Sequence, residues 1–136
     1  MKAFLLDANV LVRFLVQDDP KQGMATTALF EKAERGELVL HLDALIVAET
    51  VYVLMGRYGR NRSEVANALL AIVLNGGIVT MEAATVTDAL ERFAFFNVDF
   101  SDAWLAARGA RLRYPVASFD RDLDKFKDIR RYEPTA

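Results

Sequence analysis

Short apolar segments alternate with longer helix-like segments along the whole chain, and this alternation restricts the fold more than any other feature. Strands that alternate with helices in this way are typical of a parallel sheet with helices on its faces. We therefore predict an α/β fold with a parallel sheet. The predicted strands are residues 3–6, 37–42, 78–81, 115–119 and 129–132, and the first of them is expected to be buried. The predicted helices are residues 9–16, 20–35, 44–57, 63–74, 82–96 and 101–113. Ser101 is the predicted cap of the last helix, and a short acidic turn and helix are predicted after residue 119.

Composition excludes several classes of protein. A chain of 136 residues with 53% hydrophobic and 26% charged residues fits one soluble globular domain. No apolar run reaches the roughly 18 residues of a membrane span, and no signal-peptide pattern opens the chain, so a cytoplasmic location is expected. The chain has no cysteine and a single histidine, His41, which excludes thiolate metal sites and argues against a zinc site.

The net charge of −2 is not that of a typical nucleic-acid-binding protein, which is usually basic. Net charge misleads, however, where acids are concentrated in one pocket and neutralised by metal ions. The last third of the chain is locally basic, which is also compatible with an ordinary solvated surface. Its cations are Arg108, Arg111, Arg113, Arg121, Lys125, Lys127, Arg130 and Arg131.

Two aspartates directly follow predicted strands. Asp7 follows the first strand, and Asp120 follows the strand at residues 115–119. Ligands bind beyond the carboxyl ends of parallel strands, so these two side chains could converge there. Each also has a simpler explanation, because aspartate is a common helix cap.

Two further acids lie on predicted helices. Glu49 has largely apolar neighbours one helical turn away, namely Leu45, Ile46, Tyr52 and Val53. We therefore expect a carboxylate on an apolar face, which is costly unless it binds a metal or an arginine. Asp102 lies in the first turn of its helix, and Ala106 and Gly109 on the same face would let that helix pack closely.

An oxygen-only set of ligands indicates the kind of metal. Carboxylates without histidine or cysteine favour Mg²⁺ or Mn²⁺ over zinc or iron. Crowded carboxylates should raise one another's pKa when no metal is bound. A metal held in this way supports phosphodiester hydrolysis without a protein nucleophile.

The segment 63–74 leaves almost no polar face, which indicates a helix buried on more than one side. The second side could be covered by the core of this chain or by another protein. The sequence does not decide between them.

Five short segments, taken in order, resemble the motifs of PIN-domain nucleases, and most closely those of VapC-type toxins from bacterial toxin–antitoxin pairs. They are Leu6-Asp7-Ala8-Asn9-Val10-Leu11-Val12-Arg13, Asp18-Asp19-Pro20, Ala48-Glu49, Asp99-Phe100-Ser101-Asp102-Ala103 and Ser118-Phe119-Asp120-Arg121-Asp122. The resemblance covers nearly the whole chain, so a single PIN-like domain over residues 1–136 is expected. It implies a three-layer α/β/α sandwich around a mainly parallel central sheet of four to five strands.

The resemblance also implies an activity and a set of site residues. The activity is that of an Mg²⁺- or Mn²⁺-dependent endoribonuclease, acting as a homodimer and inhibited by a cognate antitoxin. Ala8 departs from the threonine that many relatives carry. The implied residues are the catalytic and metal-binding acids Asp7, Glu49, Asp102 and Asp120, the additional metal ligand Asp122, the supporting Asn9, Ser118 and Asp99, and Arg13 and Arg121 as candidates for contact with the RNA backbone.

Three other functions remain open from the sequence. A PIN nuclease of RNA processing that is not a toxin would use the same chemistry. A haloacid-dehalogenase-like phosphatase is disfavoured, because Asn9 stands where that family has a second acid and no matching lysine loop is found. A binding module with an inactive site would need some other defect, since all four acids are present.

Overall fold

The computed structural model describes residues 2–136 of the chain, and these form two compact units, one ending at Ala83 and one covering Ala84–Ala136. Across the described residues there are five strands and six α-helices, and every strand pair is parallel. The predicted α/β class with parallel strands is therefore confirmed. The five strands are divided between a three-stranded and a two-stranded sheet.

The first unit is built on the three-stranded sheet, whose order is β1-β2-β3. Pairing is in parallel register, with Lys2 opposite Leu38 and Leu40 opposite Ile78. Its elements are β1 Lys2–Leu5, α1 Ala8–Val16, α2 Pro20–Glu34, β2 Leu38–Leu42, α3 Ala44–Gly56, α4 Arg62–Val73 and β3 Ile78–Thr80.

Side-chain caps begin α2 and α4 of the first unit. Asp19 caps α2 by accepting a hydrogen bond from the backbone N–H of Gln22, and Pro20 occupies the first helical position. Asn61 caps α4 in the same manner by accepting from the N–H of Glu64. Such caps satisfy backbone donors that lack a partner inside the helix.

The core of the first unit is mainly aliphatic, although it also buries Phe30. β2 alternates between buried and half-buried side chains, as expected of the central strand of the sheet. The prediction of a buried first strand is wrong, because all four residues of β1 are exposed, including Leu5 at 82%. β1 lies at the edge of this sheet, so it has a neighbouring strand on one side only.

Helix α4 is not buried on every side. Its buried residues form one face, while Asn67 and Ala71 are exposed and Leu74, just after the helix, is 75% exposed. The buried face is Val65, Ala66, Leu69, Ile72 and Val73.

The second unit consists of α5 Ala83–Phe95, which begins one residue before the boundary, α6 Phe100–Leu112, β4 Val116–Ala117, a 3₁₀ helix at Arg121–Lys125 and β5 Arg131–Tyr132. Aromatic contacts hold it together, with the rings of Phe93 and Phe100 6.0 Å apart and those of Phe96 and Phe126 4.7 Å apart. Helix α6 begins after Asp99, so the prediction of Ser101 as its cap is wrong by two residues.

Candidate metal centre

An acidic cluster lies in the second unit where α6 approaches the segment that follows β4. Carboxylate oxygens of Asp102, Asp120 and Asp122 all lie within 4.8 Å of one another. Asp102 is buried, with 8% of its surface exposed, while Asp122 is half-buried and Asp120 is exposed. The cluster thus has one desolvated acid and an open side.

Helix α6 buries Asp102 because the residues around it are small. Ala103, Ala106 and Ala107 are fully buried, and Asp102 shares this buried face. Small side chains let a helix lie close to its neighbours. The expectation that this helix packs closely is confirmed.

A chain of local hydrogen bonds orients the other two acids. The hydroxyl of Ser118 accepts from the backbone N–H of Asp120 at 2.9 Å, and Asp120 in turn accepts from the N–H of Asp122 at 2.9 Å. Asp120 thereby caps the 3₁₀ helix. Lys125 lies 3.2 Å from Asp122 and is the nearest counter-charge to that acid.

The pKa of Asp102 is raised to about 6. Burial is the largest cause, and repulsion from the carboxylates of Asp120, Asp99 and Asp122 adds to it. Ionised oxygens held this close in a partly desolvated place repel one another unless a cation lies among them. An all-oxygen set of donors is what Mg²⁺ or Mn²⁺ prefers. The residues present therefore fit a hard divalent ion.

Three of the sequence-predicted residues line a cavity of about 150 Å³ within the first unit. Asn9 and Arg13 from α1 and Glu49 from α3 line it together. Asp7 stands just before Ala8, whose N–H it accepts at 2.7 Å, and so caps α1. Asp7 thus has a local structural role as a helix cap.

The premise about the surroundings of Glu49 is wrong. Glu49 is exposed, and two of its supposedly burying neighbours, Leu45 at 77% and Tyr52 at 79%, are exposed as well. Its charge therefore carries no large burial cost. Helical spacing placed these apolar residues beside Glu49 but did not reveal that solvent covers that face.

Arg13 is held by partners within the chain. Its guanidinium donates to Asp18 at 2.7 Å, to the hydroxyl of Tyr58 at 3.2 Å and to Gln22 at 2.8 Å. Burial alone would raise the pKa of Asp18, but the hydrogen bonds from Arg13 and Tyr58 hold it below its usual value. A phosphate would have to compete with these contacts, whereas Arg121 is exposed.

Two cavity residues were missed by the sequence analysis. Arg57 and Tyr58 line the same cavity as Glu49, and the Arg57 guanidinium lies 5.8 Å from the centre of the Tyr58 ring. An arginine and a tyrosine at the end of a helix just before Gly59 were the only local signal, and such residues are common at helix ends.

A comparison with protein-family models gives a match that agrees with this chemistry. The family model described as PIN domain matches residues 4–129. Comparison with curated proteins gives no match. None of the helices in residues 2–136 is long and apolar enough to cross a membrane. PIN domains are generally nucleases that use divalent metal ions. The acidic cluster of the second unit could hold such an ion. With most of its length matched, the chain belongs to the PIN-domain family.

Proposed function

We propose that this protein is an endoribonuclease that uses Mg²⁺ or Mn²⁺ to hydrolyse RNA phosphodiester bonds. The observation that carries the proposal is the convergence of Asp102, Asp120 and Asp122 within 4.8 Å. Folding alone gives no reason to keep a buried acid beside two others, because their mutual repulsion lowers stability. A reaction that needs a bound cation supplies that reason.

Each acid has a proposed role. Asp102 and Asp120 bind the ion directly or through water, and Asp122 adds a further carboxylate at the open side. The bound ion would neutralise the phosphate and supply an activated water for attack. Ser118 is a positioning residue, since its hydroxyl fixes the backbone of Asp120. Asp99 adds negative charge near Asp102, which favours the cation.

The acids of the first unit are assigned by family resemblance. We propose that Asp7 and Glu49 serve the same metal-dependent reaction, with Asn9 as a polar neighbour of the substrate. The exposure of Glu49 supports this role, because an accessible carboxylate can bind an ion or a water without prior rearrangement. The family match extends across both units, which supports treating residues 1–136 as one PIN domain.

We further propose that the nuclease is the toxin of a toxin–antitoxin pair, acting in the cytoplasm as a homodimer and inhibited by a cognate antitoxin protein. The support is the resemblance of its ordered motifs to VapC-type toxins. A PIN nuclease of RNA processing would share the chemistry but would not arrest growth. A neighbouring gene for a small DNA-binding protein would favour the toxin.

The test compares wild type with Asp102→Asn. Both are induced in bacteria, and new RNA 5′ ends are sequenced. Sharp new ends and growth arrest with the wild type alone are the expected result. Wild-type-like cleavage by Asp102→Asn would contradict the proposed site.

A purified-protein assay separates the metal requirement from effects in the cell. Cleavage of total RNA should cease in EDTA and return with Mg²⁺ or Mn²⁺. Glu91→Gln is the matched control, since it removes an exposed carboxylate of α5 outside the cluster. Loss of activity in that control would indicate a general effect of charge instead of a role for the cluster.

A further inference from the structure

A basic cavity lies in the second unit at the carboxyl end of α6, away from the acidic cluster. It has a volume of about 300 Å³ and is formed by the end of α6 and by the segment leading into β5. Arg113 is the residue that follows α6, eleven positions after Asp102, which corresponds to about 16 Å along a helix. The cavity is therefore a second feature on the same helix. Its lining residues are Gly109, Ala110, Arg113, Tyr114, Pro115, Lys127, Asp128, Ile129 and Arg130.

The lining of this cavity carries a net positive charge, because its acidic residue is neutralised by an arginine outside the lining. Asp128 is its only acid, and Arg92 donates to both of its carboxylate oxygens, at 2.8 and 2.5 Å. These hydrogen bonds hold the pKa of Asp128 below its usual value. Three cations, Arg113, Lys127 and Arg130, remain to act on a ligand.

These cations are available for binding. All three are exposed. Within residues 2–136, Arg113 and Arg130 have no side-chain hydrogen bond or ion pair, and the Lys127 ammonium donates only to the backbone carbonyl of Asp124, at 3.1 Å. A favourable interaction with the helix dipole accounts for Arg113 at the end of α6. It does not account for Lys127 and Arg130, which belong to a different segment.

The lining also has a feature that suits nucleic acid. Tyr114 is 65% exposed beside the three cations, which makes its ring accessible to a base. Grooves that combine cations with an accessible aromatic ring bind single-stranded nucleic acid by phosphate contact and base stacking. A volume of about 300 Å³ is at the lower end of the range for small-ligand pockets and suits one nucleotide unit.

We infer that this cavity is a binding site for the backbone of single-stranded RNA, separate from the acidic cluster. Arg113, Lys127 and Arg130 would contact phosphates, and Tyr114 would stack on a base. The site would hold a flanking part of the strand several nucleotides from the bond that is cut. The inference rests on the proposed function, because it takes RNA as the substrate.

The test is binding without cleavage. A fluorescein-labelled uridine 12-mer is titrated in EDTA at several salt concentrations, using wild type and the triple variant Arg113→Gln, Lys127→Gln, Arg130→Gln. For a single strand, removing one phosphate-binding cation reduces the slope of log K against log salt by about 0.7. A slope smaller by about 2, with affinity reduced at least tenfold at low salt, is expected for the variant.

A charge-matched control removes three exposed lysines of the first unit, Lys2, Lys21 and Lys32, by substitution with Gln. This control should keep the wild-type slope. Equal slopes for wild type and the cavity variant would overturn the inference while leaving the proposed ribonuclease intact. Equally tight binding of hexaglutamate would also overturn it, since the cavity would then accept any acidic chain.

Failure of the proposed function has a different signature. In that case wild type would cleave no RNA in Mg²⁺ or Mn²⁺, whatever the binding result. If the 12-mer still binds through the three cations, the cavity assignment stands without the nuclease. Absence of both binding and cleavage would overturn the two proposals together.

Discussion

Replacing Asp102 by asparagine should stabilise the metal-free protein. The pKa of Asp102 is raised from 3.8 to about 6 by burial and by neighbouring carboxylates. One unit of pKa shift corresponds to about 1.36 kcal/mol, so at neutral pH the ionised Asp102 lowers the free energy of unfolding by roughly 3 kcal/mol. An asparagine at this position would keep the shape of the side chain and remove this cost, so the unfolding free energy should rise by up to that amount.

The sign of the pH dependence is specific. Because the folded-state pKa lies above the unfolded-state value, the folded chain retains a proton between about pH 4 and 6 that the unfolded chain has released. Stability contributed by the protonated group is present below this window and lost as pH rises through it. The advantage of Asp102→Asn should therefore be small at pH 4, about 0.5 kcal/mol, and almost fully developed at pH 7.5.

Urea unfolding in EDTA at pH 4 and pH 7.5 measures both quantities. Glu91→Gln serves as the control, because it neutralises an exposed acid and should change stability by less than about 0.5 kcal/mol at either pH. The reasoning would be refuted if Asp102→Asn were no more stable than wild type at pH 7.5. An equal gain at both pH values would also refute it, since the effect would then not come from the charge.

Three further predictions follow from the same structure. Mg²⁺ at a hundred times its dissociation constant should stabilise wild type by about 2.7 kcal/mol in thermal unfolding, and much smaller stabilisation is expected for Asp102→Asn. Glu49→Gln should abolish Mg²⁺-dependent RNA cleavage but change metal-free stability by less than about 0.5 kcal/mol, because Glu49 is exposed; a clear shift in urea midpoint would contradict this. Gly77→Ala should lower the free energy of unfolding in urea by about 2 to 3 kcal/mol, because the new Cβ would lie 2.4 Å from the Ala33 carbonyl carbon. Gly76→Ala is the control and should be near neutral, since a Cβ at that position would meet nothing within 4 Å.

The periodicity of the sequence predicted the order and type of the secondary structure well. Every predicted strand and helix has a counterpart, and the ends differ by a few residues. Helix α2, predicted for residues 20–35, runs over Pro20–Glu34 with Pro20 at its start. Such features are local, because caps and apolar spacing act within one or two helical turns.

Environment was predicted less well, and Glu49 illustrates the reason. Its apolar neighbours on α3 suggested a buried face, yet Leu45 and Tyr52 are largely exposed. The first strand was misjudged in the same way, since β1 lies at a sheet edge. A sequence pattern reports which residues share a face of an element, and the packing of other elements decides whether that face is covered.

The sequence by itself determined the α/β class, the parallel strands, the small-residue face of α6 and the family, because these depend on patterns along the chain. Tertiary structure alone decided that Asp102, Asp120 and Asp122 lie within 4.8 Å of one another. It also decided that Arg92 neutralises Asp128 and leaves three cations in a basic cavity. These outcomes join residues up to 36 positions apart, and only the folded backbone brings such side chains within the range of a hydrogen bond.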